Sequence, residues 1–482
     1  MEPVPRATGL ESLLFALLYS LPEYARGIVV RRPSMTRLLA RLGTQAAVQR
    51  LCTRLRVRHG GRSVYVRGPR GKVLVLLAQG DVERVLGGSD SVFSLRTQEK
   101  WRGFSPLQPD SLLLSRGETR KDRRRFNCAV LGRAPGELAL RIDQVMAEEL
   151  DGVLGRDPGS VDWAGLRSGY NRAILRLVLG DAARDDVRIL AAVNALRREG
   201  NWLGLRLPRP GRTRRLRTAM TSGIERHLAA ATGDGLATGD GLATGDGLAT
   251  SSGTGSGTSS GTGSLAVGDG GVAAVGDGSL AGLAAVAPRT ADTCPAGQVP
   301  HWLMALEGIG STVLGPTLAL IAGHPEHYER ARSEARATSS DRRHLRACLN
   351  ESLRLWPLVP TLPRVVTEPT AWHGGTLPAG TDILIPIAVH SRNPQIGYAD
   401  RFTPQAWLDG RAEADWSIVP FSAGPAHCPG SDLGITVAAS ALAALLRQYD
   451  FRPVGSRLGP CRPLPKAVDP FTLRLSVEPS VL

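Results

Sequence analysis

Phe421-Ser422-Ala423-Gly424-Pro425-Ala426-His427-Cys428-Pro429-Gly430 is the stretch whose reading decides the fold, and an apolar helical pattern runs on from Pro429 to Tyr449. A helix that begins just after Cys428 turns unpaired backbone N–H groups and a partial positive charge towards the sulfur, which favours a thiolate. Gly424 and Gly430 take Cβ atoms out of the loop, so its backbone can pass close to something flat and bulky. A buried thiolate so placed suits a ligand to a cationic centre. A lone cysteine in a Gly/Pro loop is otherwise inert packing, so the rest of the chain has to decide between the two.

Composition sets the bounds. The chain has 482 residues, 42% of them hydrophobic, with 56 Gly and 33 Pro, enough for a substantial core in one large domain or for two to four average ones. Its formal net charge of +15 admits nucleic acid, an anionic membrane or an acidic protein as partner. The cations are mostly arginines scattered over many segments with no nucleic-acid-binding motif beside them, so docking of an acidic protein is expected and nucleic acid is not. The six cysteines (52, 128, 294, 348, 428 and 461) form no CxxC pair and no His/Cys metal spacing, which fits a reducing cytoplasm. Leu10–Leu21 is apolar but short, carries Glu11 and lacks a basic flank, so it is read as an amphipathic helix. No transmembrane segment is expected.

Helical spacing is expected over 35–58, followed by a hairpin of Val64-Tyr65-Val66 and Val73–Leu77 and a helix to Leu86 capped by Asp81. Helices follow over 112–180, including the strongly basic Glu118–Leu131, then near Val187–Arg198 and Arg212–Ala231. Residues 232–287 open with three Thr-Gly-Asp-Gly-Leu-Ala repeats and continue in Gly, Ser and Thr, a composition that predicts a flexible linker inserted in a single 1–482 domain. An apolar helix spans Pro300–Gly323 and ends at His324-Pro325-Glu326. Another covers 341–356, and 357–390 suits short strands with a turn at Gly374-Gly375.

Glu351-Ser352-Leu353-Arg354 sets a carboxylate and a guanidinium on one helical face. Leu355-Trp356-Pro357 and Leu362-Pro363-Arg364 follow, and then the cysteine loop. In that order these motifs resemble the cytochrome P450 family. The resemblance implies a mainly α fold with a small β-subdomain, the cytochrome P450 fold, around one haem b.

Cys428 would be the axial thiolate, in a loop with Phe421, Gly424 and Gly430. Arg364 would meet one haem propionate, and Arg120 and Arg124 match the family's HxxxR pair with arginine in place of histidine. Trp101 would cover a ring edge. Glu351 and Arg354 would form a buried structural ion pair. The third residue of that network is Ala406 here, which leaves Arg401 as the substitute, and Ala426 stands where the family has a basic residue two before the cysteine. Counting back from His324-Pro325 puts Gly308 and Ile309 where the family has an acid and a threonine. Glu307 would then take the acid's part, and Ser311 or Thr312 the hydroxyl's.

By the same resemblance the activity is a monooxygenase, inserting one oxygen atom from O2 into an apolar small molecule by hydroxylation or epoxidation. Ferredoxin and ferredoxin reductase would supply electrons to a cytoplasmic monomer of a divergent bacterial, actinobacterial-like branch serving secondary metabolism. The departures keep three other readings open: a peroxide-using enzyme, a non-oxygenating haem-thiolate enzyme, and a degenerate non-catalytic haem-binding protein.

Overall fold

Alternation in Val64-Tyr65-Val66 sends Val64 and Val66 to one side of a strand. In the computed structural model, which describes residues 4–68, 71–154, 159–202, 210–232, 278–337, 339–455 and 458–480, Val64–Gly68 pairs antiparallel with Gly71–Val75, Val64 opposite Val75. That second strand runs parallel to Asp382–Ile385. Leu362–Val366 pairs antiparallel with Asp382–Ile385, and Phe93–Ser94 closes a five-stranded sheet. Leu362–Val366 is therefore an inner strand. Its alternation buries Leu362, Arg364 and Val366 on one face. A charge delivered to an apolar face is costly unless something meets it. A three-stranded sheet (Ser160–Val161, Leu475–Pro479, Tyr449–Pro453) and the Thr370–Trp372/Gly375–Leu377 hairpin complete the β structure.

The helices form the larger layer. Ser431–Gln448, directly behind the cysteine loop, buries Leu433, Val437, Leu442 and Leu445, with Ala438, Ala441 and Ala444 letting its neighbours approach closely. It packs on Ala139–Leu150, Pro325–Arg336 and Arg343–Leu355. The central helix runs Pro295–Ile309, opens into a π turn at Gly310–Leu314, and continues through Gly315–Ala322. Pro316 explains the opening: it has no N–H, and in a straight α-helix its ring would strike the carbonyl of Thr312. The run Pro295–Ala322 is apolar enough to cross a bilayer (mean hydropathy 1.4), and 78% of that window is buried inside the protein.

Several expectations shift. The 35–58 helix is two, Pro33–Arg41 and Thr44–Arg58, broken where Gly43 takes φ 62°. Asp81 lies inside the helix Gln79–Gly87 and accepts hydrogen bonds from Ser63 and His373 instead of capping its end. The central helix starts five residues earlier than its apolar pattern, because proline at its first turn costs no hydrogen bond. Most of 232–287 lies outside the described residues. Its last part is no linker: Ser279 caps a helix Leu280–Val286 whose Leu280 and Leu283 are buried in the main core. At the other end, Thr8 and Glu11 form a capping box for Gly9–Phe15. Phe15 and Tyr19 then face inward, while Leu10, Leu13 and Leu17 face out.

Candidate active site

The cysteine loop is held by backbone conformation first. Gly424 has φ 60°, and a Cβ there would overlap the carbonyl of Leu86 on the helix below, so only glycine fits. Ser422 also takes a left-handed φ of 62°. Gly430 is less demanding: a Cβ would meet only a Leu131 methyl, at 3.4 Å. The Cys428 N–H donates to the Phe421 carbonyl (3.0 Å), and the Ser431 N–H donates to the Cys428 carbonyl (3.3 Å). Burial pushes the Cys428 thiol up, while the Gly430 N–H and the Arg124 charge pull it down. A cation bound at sulfur would tip that balance to the thiolate. By contrast Cys52, with burial alone acting on it, is pushed up to about 12. His427 turns away, its ring exposed and its Nε2 against Ser431 Oγ at 3.0 Å.

Above the loop three cations converge. Arg364 is 2% exposed, donates to Ser422 Oγ (3.1 Å) and the Pro363 carbonyl (3.0 Å), and pairs with no carboxylate among the described residues. Burial and the nearby Arg120 bring its pKa down to about 10. Lys100, on the helix Gln98–Phe104, is pulled well below the usual lysine range by burial, Arg364 and Arg120. Arg120 pairs with Asp90 (2.5 Å) and donates to the Leu112 carbonyl (3.1 Å). Among the described residues three cations face one carboxylate, a charge balance that an anion with two carboxylates would complete. That is the charge pattern a haem, with its two propionates, would complete.

Lys100 escaped the sequence reading, although it precedes Trp101, which that reading singled out. Trp101 itself lies under the Arg96 guanidinium at 4.2 Å and is 38% exposed. Arg124 does not join Arg364. It reaches the cysteine loop, donating to the His427 carbonyl at 2.8 Å.

Glu351 and Arg354 are fully buried and paired through two 2.7 Å hydrogen bonds. Arg354 spends its remaining N–H groups on the carbonyls of Ser391, Tyr398, Ala399 and Arg401. The Glu351 oxygens accept from the Thr403 N–H (2.8 Å) and the Trp407 indole N–H (3.0 Å). The third side chain in the network is therefore Trp407. Arg401 contributes only its carbonyl and its side chain is exposed, which corrects the expectation that its guanidinium substitutes at this point. Ala406 is fully buried.

On the central helix the candidate relay residues separate. The Glu307 carboxylate pairs with Arg197 at 2.6 Å, turned towards the helix Val187–Gly200. Ile309 packs towards Gly434, where a Cβ would stand 2.5 Å from its Cδ1. Ser311 and Thr312 both donate back to the Gly308 carbonyl, at 3.3 and 2.7 Å. Of the two, Ser311 is buried and Thr312 half-buried. His301, seven residues before Gly308 and so on the same face, accepts from or donates to Gln108 at 3.1 Å. Burial and the Lys100 charge lower its pKa to about 4, so it is neutral.

A family model described as Cytochrome P450 matches residues 310–467. Cytochrome P450 monooxygenase AKT7 of Alternaria alternata is 34% identical over 181 residues, covering 32% of this chain and 35% of that protein. Cyclooctat-9-en-7-ol 5-monooxygenase of Streptomyces melanosporofaciens is 32% identical over 189 residues, covering 36% and 41%. The chain thus spans little more than a third of the length of the curated relatives it matches. Over nearly its whole length it shares the fold of a solved structure, retinoic acid bound cyanobacterial CYP120A1, with a TM-score of 0.64, 16% identity, and coverage of 89% and 94%. The matched segment contains the π turn, the Glu351–Arg354 pair, Arg364 and Cys428. Residues 310–467, which carry the cysteine loop, are thus similar to the cytochrome P450 family, whose prosthetic group is a haem held by a cysteine thiolate, and the chain shares the fold of a solved cytochrome P450.

Proposed function

We propose that the chain is a haem-thiolate monooxygenase that inserts one oxygen atom from O2 into a largely apolar small molecule, with electrons supplied from outside. The observation that carries this reading is the pairing of Cys428, at the start of a buried helix, with a cation cluster short of two negative charges. Cys428 would hold the iron through Sγ, while Arg364, Lys100 and Arg120 would hold the propionates. When bound, the haem supplies the oxygen-activating iron, made electron-rich by the thiolate. Gly430 N–H and the helix start steady the sulfur's negative charge. The buried Glu351–Arg354–Trp407 network keeps the meander, and so the underside of the cysteine loop, rigid. The Leu358 methyls lie 3.6 Å from where a Cβ at Gly308 would stand, and the Thr312 hydroxyl, which donates to the Gly308 carbonyl, would hold a proton at Oγ1.

The named activity of the Streptomyces relative supports an apolar substrate and a place in bacterial secondary metabolism. The net charge of +15 supports an acidic ferredoxin, with its reductase, as the electron source in the cytoplasm. A second reading, peroxide-driven or non-oxygenating chemistry, is favoured by one observation: Glu307 is committed to Arg197. Turnover under isotopically labelled O2 with a ferredoxin system separates the two. Label in the product is expected. Product formed only with added peroxide, or without label, would favour the second reading.

A further inference from the structure

Three imidazoles and one phenyl ring meet where the helices Pro325–Arg336 and Arg343–Leu355 come together. His324 caps the first helix, His327 stands in its first turn, and His344 opens the second. The His327 and His344 rings stack with centroids 5.3 Å apart, and Phe402 closes the cluster at 5.2 Å from His327 and 5.0 Å from His324. The cluster is poorly supplied with acceptors for an added proton. His324 Nδ1 already donates to the Leu320 carbonyl (2.7 Å), and His344 Nε2 lies 3.5 Å from the Cys348 sulfur. His327 Nδ1 is buried and has no hydrogen-bond partner.

The charges around the rings do not make up for this. On the first helix Glu326 favours the protonated rings and Arg330 opposes them, while Glu334 spends its two carboxylate oxygens on the backbone N–H groups of His344 and Leu345. On the second helix the neighbour is the Cys348 thiol, and Glu351 beyond it is committed to Arg354. Phe402 is what faces the rings from the meander, residues 398–407. Burial holds all three histidines below the usual imidazole value, His327 down to about 4, so the rings are neutral near pH 7.

Phe402 ties these rings to the ion-pair network. The next residue, Thr403, donates its N–H to Glu351 (2.8 Å), and Arg354 holds the carbonyls of Tyr398, Ala399 and Arg401 on the other side. A proton on His327 needs water, because no acceptor meets Nδ1. Water reaching that atom parts the rings. We propose that the His327–His344 pair and Phe402 form an acid-released latch: protonation of the pair unseats Phe402 and detaches the meander from Glu351. The cysteine loop is then freed, and haem ligation by Cys428 is lost while the helical fold persists. This rests on the reading of Cys428 as the haem ligand and adds a control on that bond.

The test follows the carbon monoxide spectrum of the reduced, haem-loaded full-length protein and its far-ultraviolet circular dichroism from about pH 8 to about pH 4, in the unaltered protein and as His327→Phe and His344→Phe. The thiolate-type band of the unaltered protein is expected to fall between pH 6.5 and about 4 with its helical dichroism retained. In either variant the midpoint should move down by about one pH unit. A band that falls only together with the dichroism, or that does not fall in this window, overturns the latch and needs no variant to fold. So does an unchanged midpoint in whichever variant folds, which would mark protonation at the sulfur itself. A thiolate-type band at about pH 8 with any of these results fails the latch alone, whereas no such band at about pH 8 overturns the haem reading and the latch with it.

Discussion

Gly424 meets two constraints at one position, a left-handed φ and a backbone carbonyl where its Cβ would be. Gly424→Ala is expected to cost about 1–3 kcal/mol in conformation alone. It should also release haem, measured by thermal melting and haem content, whereas Gly430→Ala should be far milder. The ion-pair network makes a graded prediction. Arg354→Ala leaves a buried carboxylate alone and should cost about 3–5 kcal/mol. Trp407→Phe removes one charge-assisted hydrogen bond, about 1.5–3 kcal/mol. Arg401→Ala, which keeps the carbonyl, should stay within about 0.5 kcal/mol. Urea denaturation of the three variants checks the order.

At this scale the cysteine loop and the Glu351–Arg354 pair were legible in the sequence because each is a contiguous pattern. Lys100, His301 and the Trp407 donor were not. Their meaning comes from neighbours far along the chain, and a lone lysine or tryptophan carries no local mark of them.

The central helix shows what an element adds. Its apolar period predicted a helix, but the proposed relay residues Ser311 and Thr312 sit in the one turn that is not α. Pro316 opens the backbone, and Gly310 lets the helix Trp163–Leu179 close against it, with Tyr170 Cδ1 at 2.6 Å and Trp163 Cη2 at 2.7 Å from a Cβ built there. Gly310→Val should therefore destabilise by about 1–3 kcal/mol through overpacking, read as a lower melting temperature. Counting residues back from His324-Pro325 assumes a uniform helical rise, and a π turn breaks that assumption. This is why position 309 looks like the hydroxyl's place while Ser311 and Thr312 are the hydroxyls bonded to the Gly308 carbonyl, Thr312 half-buried. The helix Leu280–Val286 was hidden for a different reason. Its Leu/Ala/Gly composition continues that of the block before it, and only burial in the core distinguishes the two.

For the whole molecule, acid should be destabilising in a defined window. His324, His327 and His344 cluster with Phe402 behind the Glu351 helix, the His327 and His344 rings 5.3 Å apart. Burial first, then the mutual charges of His344 and His324, lowers His327 from 6.5 to about 4, and His344 moves the same way. A histidine kept neutral by the fold binds its proton more readily once unfolded. Its contribution is intact above pH 6.5 and is lost as pH falls from there through about 4. Melting temperature against pH should drop across that window, and less steeply in His327→Phe.

The central claim is that Cys428 is the axial thiolate of a bound haem. The most direct measurement is the carbon monoxide difference spectrum of the reduced protein, unaltered and as Cys428→Ala. A thiolate-type band in the first and its loss in the second is the predicted result. No haem binding in the unaltered protein, or the same band in both, would contradict the account.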